Sequence, residues 1–196
     1  TIENMVDSAW EYIELCKSEE PAIWDVFQEG RGESEMTVVW QDGPTLCRIR
    51  PDRMSRDRKV IVDVKTTLRS AEPARWARTQ LEGMGYYIGA AWYRRGVEAA
   101  CGVSPSYSFL VLEQEPPHLC SLVGMSPAHF EVGTMRIISA LHQWQACVAA
   151  GRWPAYPARV QYPELSSWED QRAREKAEQD DERPTLERIF ELGGQG

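Results

Sequence analysis

Along the first 18 residues Ile2, Met5, Val6, Ala9, Trp10, Ile13 and Cys16 recur at helical spacing, with Glu3, Asp7, Glu11 and Glu14 between them. The pattern predicts an amphipathic helix. Glu19-Glu20-Pro21 breaks it, and Ala22 to Phe27 reads as a further helical turn ending at Gly30-Arg31-Gly32. Met36–Trp40, Thr45–Arg50 and Val60–Lys65 are short β-rich runs, separated by Asp42-Gly43-Pro44 and by a polar loop from Arg53 to Arg58. Together they predict a three-stranded antiparallel meander. From Pro73 the period becomes helical, with Trp76, Leu81, Met84, Ile88, Ala91 and Trp92 inward, and continues to about Ala100 before Gly102. Tyr107–Glu113 and His118–Val123 read as a second hairpin around Pro116-Pro117. Pro127 to Ala150 is a second long helix with Phe130, Met135, Ile138, Leu141, Trp144 and Val148 as its apolar face and Gly151 beyond its end.

The order helix, three strands, helix, two strands, helix predicts an α/β (α+β) domain, a central mixed β-sheet flanked by helices. It spans residues 1–168, with Trp153-Pro154-Ala155-Tyr156-Pro157 extended across the core. The charged tail, 169–196, lacks an apolar stripe and reads as a solvated helix or disorder.

A chain of 196 residues can bury a real core, and no stretch approaches the roughly 18 apolar residues of a membrane span. It opens at Thr1 rather than Met, which reads as a fragment or a trimmed product. Five scattered cysteines without a C-x-x-C pair point to reduced thiols and a cytoplasmic location. His118 and Cys120 lack a second ligand pair and read as a strand end rather than a zinc site.

A net charge of -8 argues against a nucleic-acid partner until its distribution is considered. From Arg48 to Arg78 ten basic residues face four acidic ones, whereas Glu169 to Glu191 carries nine acidic and five basic residues. A basic island in an acidic chain is a candidate footprint for a polyanion. Arg48, Arg50, Arg69, Arg75 and Arg78 are its candidate phosphate contacts, the alternative being a solvated surface.

In Val60-Ile61-Val62-Asp63-Val64-Lys65 a period of two separates the valines from Ile61, Asp63 and Lys65. A carboxylate and an ammonium therefore project side by side from a strand whose other face is apolar. The preceding run ends in Pro51-Asp52, and the intervening loop returns the chain so that Asp52 approaches Asp63. Two carboxylates and a lysine at adjacent strand ends suit metal-assisted phosphodiester hydrolysis, with the carboxylates on a hard cation and the lysine at the attacking water. A surface ion pair is the competing reading of Asp63 and Lys65.

Pro51-Asp52 with Asp63-Val64-Lys65 resembles the PD-(D/E)xK nuclease signature. The longer runs Leu46-Cys47-Arg48-Ile49-Arg50-Pro51-Asp52 and Val62-Asp63-Val64-Lys65-Thr66-Thr67 are similar to the RecE-like (exonuclease VIII) branch, related to the phage lambda-type exonucleases. The likeness continues through Ala91-Trp92-Tyr93-Arg94-Arg95-Gly96, Gly102-Val103-Ser104-Pro105 and Phe109-Leu110-Val111, covering roughly residues 33 to 168. It implies a restriction-endonuclease-like core and a Mg²⁺-dependent exonuclease, with Mn²⁺ as a substitute, degrading double-stranded DNA ends 5′ to 3′ in recombination. It implies Asp52, Asp63 and the Val64 carbonyl as metal ligands and Lys65 at the nucleophilic water. Glu35 matches a glutamate ahead of the family's first core strand. A homo-oligomeric ring and a single-strand annealing recombinase as partner are further implications.

Two positions depart from the family. Gly89 stands where a glutamine is usual, and none of His118, His129 and His142 matches an N-terminal histidine near the metal. They motivate the alternative of an impaired nuclease fold that binds DNA ends or a protein without cutting. An endonuclease with the same core is a third reading. Of the eight tryptophans, Trp10, Trp76, Trp92 and Trp144 sit at helix-core spacing, leaving Trp40 and Trp168 free to stack on a base or a partner.

Overall fold

The computed structural model describes residues 1–181, and the end of the expected tail, 182–196, lies outside the described residues. The chain divides into two compact units, Thr1–Trp153 and Pro154–Gly196. In the first, α1 (Ile2–Glu19) and α2 (Pro21–Phe27) precede seven strands: β1 (Gly32–Ser34), β2 (Val38–Asp42), β3 (Thr45–Ile49), β4 (Arg53–Ser55), β5 (Val60–Thr67), β6 (Ser106–Glu113) and β7 (Cys120–Gly124). Between β5 and β6 run α3 (Pro73–Trp76), a wide π turn (Ala77–Glu82) and α4 (Tyr86–Cys101), and α5 (Pro127–Ala150) follows β7. In the second unit the chain has no regular secondary structure before α6 (Ser167–Asp181), whose described side chains are largely exposed.

The main sheet has the order β1-β4-β5-β6-β7 and is mixed, with β5 and β6 parallel and the other neighbours antiparallel. Alternation along β5 fills both sides of it. Val60 and Val62 join Leu110 and Leu112 against Ile13, Ile23 and Val26 of α1 and α2. Ile61 joins Tyr107, Phe109 and Val111 against Trp76, Leu81 and Val97.

The three-stranded meander is corrected. β2 and β3 form a separate two-stranded sheet, whose inward Trp40, Cys47 and Ile49 pack toward α4. Gly96 permits the close approach, since a Cβ there would lie 2.7 Å from the Trp40 ring. Trp40 is therefore buried against Trp92 rather than free to stack, with ring centroids 4.7 Å apart. The expected polar loop contains β4, held by Arg53 reaching the Val26 carbonyl at 2.8 Å. The expected helix from Pro73 is broken at Gly85, whose φ of 73° is a left-handed conformation that glycine adopts freely.

On α5 the buried residues are Gly133, Ile137 and Cys147, while Met135, Ile138 and Val148 are exposed. Gly133 lets that helix sit close on Ala91. Trp10 and Trp144 are half-exposed instead of buried. Trp153 closes the first unit against Trp144, and Tyr156 in the second unit is 97% exposed. Cys16, Cys47, Cys101, Cys120 and Cys147 are free thiols, and no helix among the described residues is long and apolar enough to cross a membrane.

Candidate active site

Pro51 is fully buried and carries the chain from the β2–β3 hairpin into the main sheet. β4 pairs with β5 at Arg53↔Val62 and Met54↔Ile61, so the same register carried one step further sets Asp52 beside Asp63. Here the ladder stops and the Asp52 side chain replaces it, with Oδ2 accepting from the Val64 N–H at 2.8 Å. The N–H and C=O of one strand residue point to the same side, so the Val64 carbonyl faces the edge where Asp52 stands.

Asp63 lies on the α4 face of β5, as alternation with Val62 requires, and is 8% exposed. Its Oδ1 accepts from Lys65 Nζ at 2.5 Å and its Oδ2 from the Tyr107 hydroxyl at 2.9 Å. Lys65 Nζ also stands 5.7 Å from the centre of the Tyr86 ring. Glu35 has a φ of 54°, and its N–H donates to the Asp52 carbonyl at 3.2 Å. Its carboxylate pairs with Arg50 on the exposed side.

Burial pushes the Asp52 carboxyl up to about 6, and the neighbouring Asp63 carboxyl adds to the rise against the opposing pull of the Val64 N–H and Lys65. The site thus concentrates negative charge that water does not fully solvate. Burial likewise raises Tyr107 and Tyr93, with Asp63 the next cause for each.

The donor set, two carboxylates and a backbone carbonyl, fits a small hard divalent cation. Among the described residues no three His, Cys, Asp or Glu side chains cluster as a metal cage. Mg²⁺ ordinarily keeps several waters and takes phosphate oxygens alongside one or two carboxylates, so the pair is an adequate protein share.

Of the basic island, Arg50, Arg58, Lys59 and Lys65 are ion-paired and Arg53 is tied to backbone. Arg48, Arg69, Arg75 and Arg78 are exposed and make no ion pair with another described residue. Arg48 lies on β3 upstream of Asp52, and Arg69, Arg75 and Arg78 lie beyond the C-terminal end of β5.

Tyr107, Tyr93 and Tyr86 were missed by the sequence reading. For Tyr107 the available signal is a tyrosine on a buried strand, since a phenol there normally needs a hydrogen-bond partner.

The family model described as "PDDEXK-like domain of unknown function (DUF3799)" matches residues 2–165. No curated protein matches the sequence. Among solved structures, a presumed exonuclease from Eubacterium rectale overlays with a TM-score of 0.53 at 13% identity, covering 83% of this chain and 64% of that one. The chain spans less than two thirds of that protein, and at such identity the likeness shows the fold alone. The protein SSO0001 overlays with a TM-score of 0.34 at 15% identity, covering 79% of this chain and 82% of that one, too loosely to carry an argument. With its mixed sheet, its Pro51-Asp52 turn and its Asp63-Val64-Lys65 strand, the chain belongs to the DUF3799 family of PDDEXK-like domains, within the PD-(D/E)xK nuclease superfamily.

Proposed function

We propose that this chain is a metal-dependent deoxyribonuclease that hydrolyses phosphodiester bonds at the ends of linear double-stranded DNA, with Mg²⁺ as its cation and Mn²⁺ as a substitute. The observation that carries the reading is the meeting of Asp52, Asp63 and Lys65 at one open edge of β5. Asp52, Asp63 and the Val64 carbonyl would hold the cation, which when bound supplies charge neutralisation at the phosphate and an acidified water. Lys65, steadied by Asp63, orients the attacking water, and Glu35 supports the Asp52 backbone. Arg48, Arg69, Arg75 and Arg78, with Arg50 released from Glu35, contact backbone phosphates. The RecE-like resemblance supports 5′ to 3′ polarity, a role in recombination beside an annealing protein, and a homo-oligomeric ring.

Nucleotide release from 5′- and 3′-labelled linear duplex at millimolar Mg²⁺, with and without EDTA, tests the reading. Release by wild type that EDTA stops and Asp63→Asn lacks supports it, whereas equal release by Asp63→Asn overturns it. One observation favours a second reading, a fold that binds DNA ends without cutting. Gly89 offers no side chain on the α4 face between Tyr86 and Tyr93. Binding of duplex ends without release under any divalent cation would select that reading.

A further inference from the structure

β3 is paired along one edge only, with β2. Beside it two cavities follow one another, bounded by α4 and, farther on, α5. The one nearer the carboxylates, about 390 Å³, is lined by Thr37, Arg48, Arg50, Trp92 and Tyr93. It is tied to the Asp52–Asp63 cluster through Arg50. Arg50 pairs with Glu35, whose N–H bonds the Asp52 carbonyl, and the Tyr93 hydroxyl donates to the Arg50 carbonyl at 3.4 Å.

The second cavity, about 530 Å³, shares Arg48 and Trp92 with the first and continues between Leu46, Gly89, Leu141 and Trp144. Arg48 thus lines both the more polar compartment and the almost wholly apolar one. Gly89 leaves that compartment unfilled, since a Cβ there would meet nothing within 4 Å. Trp144 forms its outer wall, 51% exposed and braced by Trp153 with ring centroids 4.9 Å apart.

Resting on the nuclease reading, we propose that this groove takes an unpaired nucleotide of the substrate strand, its phosphate on Arg48 and its base against Trp92 and Trp144. The preferred substrate is then a frayed or single-stranded DNA end rather than a fully paired one. Two observations choose this occupant over a peptide. The groove begins at Arg50, two residues before Asp52, where a strand leaving the scissile phosphate would pass, and Arg48 in its lining is an exposed positive charge that makes no ion pair with another described residue. The cavity volume is within the range of small-ligand sites, roughly 300–1,000 Å³. An apolar aromatic wall without base-edge donors accepts any base, because every base has a stacking face.

The test is fluorescence anisotropy in Ca²⁺, which suits oxygen ligands while supporting little turnover, with a labelled single-stranded oligothymidylate and its abasic counterpart carrying the same phosphates. Wild type should bind the thymidylate about tenfold more tightly than the abasic strand, within the range for stacking one base. Gly89→Leu, which fills the cavity, should lower thymidylate binding to the abasic level. Gly89→Ala should keep the preference, and thermal melting of both variants checks folding. Equal affinity of wild type for the two strands, with duplex cutting intact, overturns the base site and leaves the nuclease reading standing. An unchanged preference in a folded Gly89→Leu also overturns it. Failure of the nuclease reading itself has a different signature, in which wild type binds neither strand and releases no nucleotide from any DNA in Mg²⁺.

Discussion

Replacing Asp52 with asparagine should make the metal-free protein more stable while removing its response to metal. The Asp52 carboxyl is raised from 3.8 to about 6, and each pKa unit is worth about 1.4 kcal/mol, so the ionised group opposes folding by about 3 kcal/mol before screening. Asp52 is only partly buried, and solvent screening reduces the figure to about 1–2 kcal/mol. The folded state holds the proton more tightly than the unfolded chain, so this cost is absent below pH 3.8, grows between 3.8 and 6, and is fully present above 6. Asparagine keeps an oxygen for the Val64 N–H and has no charge to bury. Thermal unfolding in EDTA at pH 7.5 should therefore place Asp52→Asn roughly 3–6 °C above wild type, the gap closing as pH falls toward 4. Millimolar Mg²⁺ should then raise wild type by mass action and leave the variant unmoved. A variant less stable than wild type at pH 7.5 in EDTA would refute the reasoning, because Asp52 would then be a satisfied structural carboxylate.

Lys65→Ala should abolish Mg²⁺-dependent nucleotide release yet retain the thermal shift with Mg²⁺, since the carboxylates survive; a lost shift would make Lys65 part of the metal-binding unit. Tyr107→Phe removes only the hydroxyl bonded to Asp63, so release should persist with a higher Mg²⁺ requirement and stability should fall by about 1 kcal/mol, measured by metal titration and urea unfolding. Gly96→Val forces a Cβ and its methyls against Trp40 and Ile49 and should cost about 1–3 kcal/mol in urea unfolding. Arg69→Gln should weaken binding to all duplex sequences alike and lower the salt slope by about one, as read by titrations at several salt concentrations.

Asp63 and Lys65 were legible because they follow from one local fact, the period of two along Val60–Lys65, which packing on both sheet faces enforces. The pairing of strands was not legible, since β3 and β5 both alternate and nothing local says that one joins a hairpin sheet while the other takes a parallel neighbour. That neighbour, β6, arrives only after α3 and α4 have crossed over, and pairing of this kind is decided by tertiary packing rather than strand propensity. β4 was missed for a related reason, because its leading Arg53 looks solvated until Val26 and Ser34 are seen holding its guanidinium. The distinction matters for the site. Asp52 stands by Asp63 because β4 pairs with β5 and Pro51 delivers the chain to that pairing, so the meander expected from sequence brought the right residues together by the wrong path. Carboxylates can thus be found from spacing and strand period alone. Tyr107, which reaches Asp63 from a strand 44 residues away in sequence, becomes visible only once the parallel neighbour of β5 is known.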